Sequence, residues 1–158
     1  MSPTRPYRVL VVCTGNTCRS PMAEALLRHL FEEAGVPAEV RSAGTAAMSG
    51  GPAHPHSREV ARSEGLDLAD HESRPVTEEL IRWADTVIGM QPSHVRYVRE
   101  LDSTADVRLV TDLAPEVDYE GIVDPIGWDR EVYEAVFDDL RRCLEPFVRE
   151  HADGATAR

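Results

Sequence analysis

Cys13 and Arg19 bracket five residues in the run Val12-Cys13-Thr14-Gly15-Asn16-Thr17-Cys18-Arg19-Ser20-Pro21. A cysteine attacks as its thiolate, and the backbone N–H groups that hold an anion can hold a thiolate too. Gly15 and Asn16 both tolerate positive φ, so successive N–H groups here can turn inward as an anion-binding nest. The planar fork of Arg19 can grip two phosphate oxygens, and grips them better as phosphorus becomes trigonal bipyramidal. The chemistry this predicts is phosphoryl transfer to Cys13. Thr14, Gly15, Asn16, Thr17, Cys18 and Ser20 would line the phosphate or the substrate. Spacing alone fits a buried cysteine and a surface arginine equally well; the flanking elements separate the two readings.

Val9 to Val12 is an unbroken apolar run, the pattern of a buried parallel strand, and it stops at Thr14-Gly15-Asn16. Ser20 then reads as a helix N-cap and Pro21 as the first helical residue. Ala23, Leu26, Leu27, Leu30, Phe31 and Ala34 keep helical spacing until Gly35. The Cys13 loop therefore joins a strand to a helix N-terminus, where open α/β sheets bind ligands and where unpaired N–H groups suit phosphate. Hydrolysis also needs a proton donor for the leaving group. Asp124-Pro125, in the loop predicted from Asp112 to Gly127, is the candidate; an ordinary Asp-Pro turn explains the same dipeptide as well.

Further strands are predicted at Glu39–Ser42, Thr86–Ile88 and Val107–Val110, with a Gly/Ala/Ser/Pro-rich loop from Ala43 to Pro55. Helices are predicted at His56–Glu64, after the cap residue Thr77, at Pro92–Leu101, and from Asp129 to about His151. The last carries Tyr133, Val136, Phe137, Leu140, Leu144 and Phe147 on one face, with Pro146 as a kink and a frayed tail after His151. Strands alternating with helices predict an α/β fold with a parallel sheet and right-handed crossovers. One domain is expected over 1–158, with its core at about 8–150 and short flexible termini.

The 158 residues carry a net charge of −11, with 42% hydrophobic and 28% charged residues. A soluble globular class follows, and so acidic a chain argues against a broad nucleic-acid or anionic-membrane surface. An anion site in it must be local. No apolar run approaches the ~20 residues that span a bilayer. Three cysteines give no disulfide framework, and a reducing, cytoplasmic setting is expected. Cys13 and Cys18 could form a reversible bond. His54, His56 and His71 read as solvated loop residues, so neither a metal nor a cofactor is expected.

From about Arg8 to Val148 the chain resembles the low-molecular-weight protein tyrosine phosphatase family. Cys13–Pro21 matches that family's loop almost residue for residue. Ser42-Ala43-Gly44-Thr45 matches its second-strand motif, His71 a histidine before its third helix, and Asp124-Pro125 its acid motif. The resemblance implies a single three-layer domain with a four-stranded parallel sheet flanked by helices. It implies Cys13 as nucleophile through a cysteinyl-phosphate, Arg19 as transition-state clamp, and Asp124 as acid and then base. It implies that Ser20 bonds the Cys13 thiolate and that Asn16, Ser42 and His71 pin the loop. The implied partner is a phosphorylated protein.

The chain departs from tyrosine-specific members at Thr17, where an apolar residue is common, in the Met48-Ser49-Gly50 loop, which lacks an aromatic wall, and at Ile126, where many have Tyr. Gln91 stands where an acid is frequent. The bacterial protein-arginine phosphatases of the family also carry threonine at the Thr17 position, which favours phosphoarginine over phosphotyrosine; a tyrosine phosphatase proper is the alternative, and Trp128 could stand in for the missing wall. Two rivals remain. An arsenate reductase needs further cysteines, and only Cys143 lies downstream, where it reads as a packed helix residue. A phosphocysteine carrier has no use for the Asp124 acid.

Overall fold

The computed structural model describes residues 5–156. Its elements are β1 (Tyr7–Cys13), α1 (Arg19–Glu33), β2 (Ala38–Gly44), α2 (Pro55–Ser63), α3 (Glu78–Trp83), β3 (Thr86–Gly89), α4 (Pro92–Leu101), β4 (Val107–Leu109), a 3-10 turn (Val110–Leu113) and α5 (Arg130–Thr156). The four strands are parallel in the order β2-β1-β3-β4. Chain order reverses at β1, so the loop after Cys13 opens at the switch point of the sheet, where a crevice forms.

The apolar run of β1 is continuous because both faces of the sheet are covered. Val9, Val11 and Cys13 pack with α1, α2 and α5, through Leu26, Val60 and Tyr133 among others. Leu10 and Val12 pack with Ile81 of α3 and with Val95 and Val98 of α4. These are the three layers that the family resemblance implies. Period-2 alternation thus puts Cys13 on the α1 side, beneath that helix's N-terminus.

Several boundaries differ from expectation, each for a local reason. α1 starts at Arg19, with Cys18 at the capping position and no side-chain cap. Ser20 is not the N-cap, because its hydroxyl is engaged by Cys13 and Asn16. Ala43 and Gly44 belong to β2 and not to the following loop. A side chain at Gly44 would put its Cβ 2.3 Å from Thr14 O, so the strand can approach the Cys13 loop only with glycine there. Val110 leaves β4 to begin the 3-10 turn. α5 continues to Thr156, and the tail after His151 is helical. His151 stacks on Tyr7 at 4.0 Å, which ties that last stretch to the start of β1. Residues 1–4 and 157–158, part of the termini expected to be flexible, lie outside the described residues.

Candidate active site

The Cys13 loop is held open by its outward bonds. Cys13 O accepts from Thr45 N and Thr14 O from Ala46 N, both at 2.9 Å; Thr17 O accepts from His54 N at 2.9 Å. Cys18 O accepts from Ser57 Oγ at 3.3 Å. With these carbonyls committed outward, the N–H groups are left for the concave side, which is what an anion cradle requires.

Asn16 is the keystone of the turn. It is fully buried, and its φ of +57° makes it the one positive-φ residue other than glycine among those described. That conformation costs about 1–2 kcal/mol. Four hydrogen bonds at about 1 kcal/mol each outweigh it. Nδ2 donates to Ser20 Oγ at 2.8 Å and to Ser42 Oγ at 2.9 Å. Oδ1 accepts from Arg74 N at 3.0 Å, and the backbone oxygen pairs with His71 Nε2 at 2.7 Å. The loop-supporting set Asn16, Ser42 and His71 is thus brought together.

Cys13 is buried at the bottom of this turn. Its Sγ lies 2.8 Å from Ser20 Oγ and 3.3 Å from Asn16 N. Both can donate to sulfur. Arg19, also buried, donates through Nη1 to Ile122 O at 2.8 Å, while Nη2 lies 3.6 Å from Asp124 Oδ2. Its Nε has no protein acceptor among the described residues. A buried guanidinium with an unmatched donor at a cradle fits an oxyanion. The cavity, about 200 Å³, is lined by Cys13, Thr14, Gly15, Thr17, Cys18, Arg19, Asp124 and Ile126. A larger groove of about 460 Å³ runs by Arg96, Arg99 and Arg108 and contains no nucleophile.

Asp124 joins the cavity from the segment before α5. Ile122 N donates to Met90 O at 2.8 Å and Gly121 N to Thr111 Oγ1 at 2.9 Å, which fixes the segment leading to it. Asp124 Oδ1 also accepts from Ile126 N at 3.1 Å, a local turn of the Asx kind. The turn reading of Asp-Pro is met by this bond, and Asp124 also lines the cavity. Cys18 shares the cavity with Cys13, but its Sγ contacts Tyr133 OH at 3.4 Å and burial pushes its thiol pKa up.

Four participants escaped the sequence reading. Ile122 O and Arg74 N act through the backbone, which leaves no residue-type signal. In the sequence Tyr133 marks only the apolar face of the last helix. His94 bonds Thr14 Oγ1 at 2.9 Å; its place just after β3, beside the strand that ends in Cys13, was the available signal. His54 also departs from expectation. It caps α2 by accepting from His56 N at 3.0 Å and stacks on Tyr133 at 5.0 Å, so it is structural and not a solvated loop residue. Burial lowers its pKa accordingly.

Residues 8–154 match the family described as low molecular weight phosphotyrosine protein phosphatase. A protein-arginine-phosphatase of Geobacillus stearothermophilus is 40% identical over 141 residues, covering 89% of this chain and 93% of that protein. The solved YwlE arginine phosphatase of the same organism superimposes with a TM-score of 0.87 at 35% identity, covering 97% of each chain. A YwlE arginine phosphatase mutant with a phosphorylated active-site serine has a TM-score of 0.85 at 33% identity, covering 90% of this chain and 94% of that one. A probable tyrosine phosphatase, AmsI, of Erwinia amylovora is 33% identical over 141 residues, covering 89% of this chain and 94% of that protein.

Proposed function

The chain belongs to the low-molecular-weight phosphotyrosine protein phosphatase family, and on that premise we propose that it hydrolyses phosphoryl groups on proteins through a cysteinyl-phosphate, with phosphoarginine preferred. One observation carries the reading: Cys13 Sγ, bonded by Ser20 Oγ and Asn16 N, lies in the same small cavity as Arg19 and Asp124.

In the first step Cys13 Sγ attacks phosphorus and the bond from phosphorus to the leaving nitrogen or oxygen breaks. Protonated Asp124 gives its proton to that atom. Arg19 and the loop N–H groups hold the three equatorial oxygens as charge spreads over them. In the second step Asp124, now ionised, takes a proton from water; the water oxygen bonds to phosphorus, the sulfur–phosphorus bond breaks, and inorganic phosphate leaves with the Cys13 thiolate restored. No metal or cofactor enters either step.

Thr17 supports the arginine preference. It is half-buried, lines the cavity, and its Oγ1 lies 3.8 Å from Cys18 Sγ, a weak contact that leaves the hydroxyl free to accept from a guanidinium. The exposed Met48 offers no ring wall. The tyrosine reading has its own support: Ile126 borders the cavity, and Trp128, two residues on, is exposed. A reductase role finds little: Cys143 is fully buried in α5, and burial pushes its thiol up to about 11. No helix among the described residues is long and apolar enough to cross a membrane; a reducing, cytoplasmic setting suits a nucleophilic cysteine. The deciding experiment compares kcat/KM of one preparation on matched phosphoarginine and phosphotyrosine peptides. A higher value for phosphoarginine is expected. A clear excess for phosphotyrosine overturns the preference, and turnover of neither overturns the function.

A further inference from the structure

Beside the cradle lies a buried side chain to which the two chemical steps give no task. His94, in the first turn of α4, is 2% exposed. Its Nδ1 accepts the Gln91 N–H at 3.1 Å, so the ring proton sits on Nε2. Nε2 lies 2.9 Å from Thr14 Oγ1 and therefore donates to it. Thr14 itself is exposed and lines the cavity. A hydroxyl oxygen that already accepts from an imidazole has its own proton left to give. Burial, reinforced by the Arg19 charge and only partly opposed by Asp124, pushes His94 down to about 4. The neutral ring, and with it the polarity of the pair, persists at neutral pH.

We propose that His94 is a positioning residue that fixes the Thr14 hydroxyl as a donor to a non-bridging oxygen of the bound phosphoryl group. The inference rests on the phosphatase reading and divides the two threonines of the loop between tasks. Thr14, with one lone pair taken by the His94 N–H, has its proton free for the phosphoryl group. Thr17 remains able to accept from the leaving group. A Cβ at Gly89 would lie 3.0 Å from Val95 Cγ2 and 3.2 Å from His94 Cβ, so the first turn of α4 packs closely on β3.

Inorganic phosphate is the probe. Its affinity is read as competitive inhibition and as protection of Cys13 from iodoacetate, beside kcat and KM for a small aryl phosphate. Thr14→Val weakens phosphate about tenfold, the loss of one hydrogen bond to a charged group. His94→Phe does nearly the same, and the double variant loses little more than either single one, because both remove a single donor. His94→Gln keeps an N–H directed at Thr14 and recovers most of the loss. Parent-like phosphate affinity in Thr14→Val, additive losses, no recovery with His94→Gln, or a parent that binds no phosphate each overturns the proposal. If His94→Phe fails to fold, Thr14→Val and His94→Gln still decide it. The expected pattern in phosphate affinity, with no turnover of any phosphorylated substrate, would contradict the phosphatase reading and leave the Thr14–His94 pairing supported.

Discussion

The Ser20 hydroxyl lies 2.8 Å from Cys13 Sγ and accepts from Asn16 Nδ2 at the same distance. Because its lone pairs face the Asn16 amide, its proton is directed at sulfur. The residue that a helix-capping rule assigns to α1 is thereby diverted to Cys13. Ser20→Ala removes a hydrogen bond to a charged group, worth about 1.5–3 kcal/mol, so turnover is expected to drop by roughly ten- to a hundredfold. Steady-state kinetics on an aryl phosphate checks it, with circular dichroism to show the fold kept. Unchanged kcat/KM would mean that Asn16 N alone holds the thiolate.

Asp124→Asn keeps the turn-forming bond to Ile126 N in reach and removes the proton donor. A loss of ~10²–10⁴ in turnover is expected for poor leaving groups. The loss shrinks as the leaving group improves, because a good one departs without a proton. A plot of rate against leaving-group pKa is the measurement. An equal loss across the series assigns Asp124 to the turn alone.

Thr17→Ile replaces a hydroxyl with an apolar surface of similar reach. A single pocket contact is worth about 1–3 kcal/mol, so the ratio of phosphoarginine to phosphotyrosine turnover should fall by one or two decades. Peptide kinetics with both substrates reads the ratio directly. A ratio that does not move removes Thr17 as selector, and a parallel fall in both activities shows damage to the loop.

Acid should destabilise the fold through His94. Its folded value of about 4 lies below the ordinary 6.5, with burial as the main cause and the Arg19 charge next; Asp124 acts in the opposite sense. The unfolded chain therefore binds the extra proton between these values. The stabilisation is complete above about pH 6.5 and lost as pH falls towards 4, roughly 3 kcal/mol over the window. Urea unfolding at pH 7 and pH 4.5 measures it. His94→Gln should flatten the part of the curve that this group contributes, and an equal pH slope in that variant would assign the loss to other groups.

Much of this was legible because it is written in residue type and period. The run Val9–Val12 announced a strand covered on both faces, Pro92 and Leu101 bounded α4 as expected, and Gly15-Asn16 marked the turn where Asn16 takes positive φ. What stayed hidden depends on partners distant in sequence. Ser20 looks like a cap until Cys13 and Asn16 are seen around it, and Gly44 looks like loop until Thr14 O is found against it. His94 sits in an amphipathic helix, where only its place just after β3 sets it apart from other buried side chains, and its partner Thr14 lies 80 residues earlier.

Transfer of the phosphoryl group to Cys13 is tested most directly by stopping the enzyme in acid during turnover and locating the phosphoryl group by mass spectrometry, in the parent and in Cys13→Ser. The parent should carry it on Cys13, and Cys13→Ser, folded, should hydrolyse no substrate catalytically. Sustained turnover by Cys13→Ser, or a phosphoryl group found on another residue of the parent, would contradict the account.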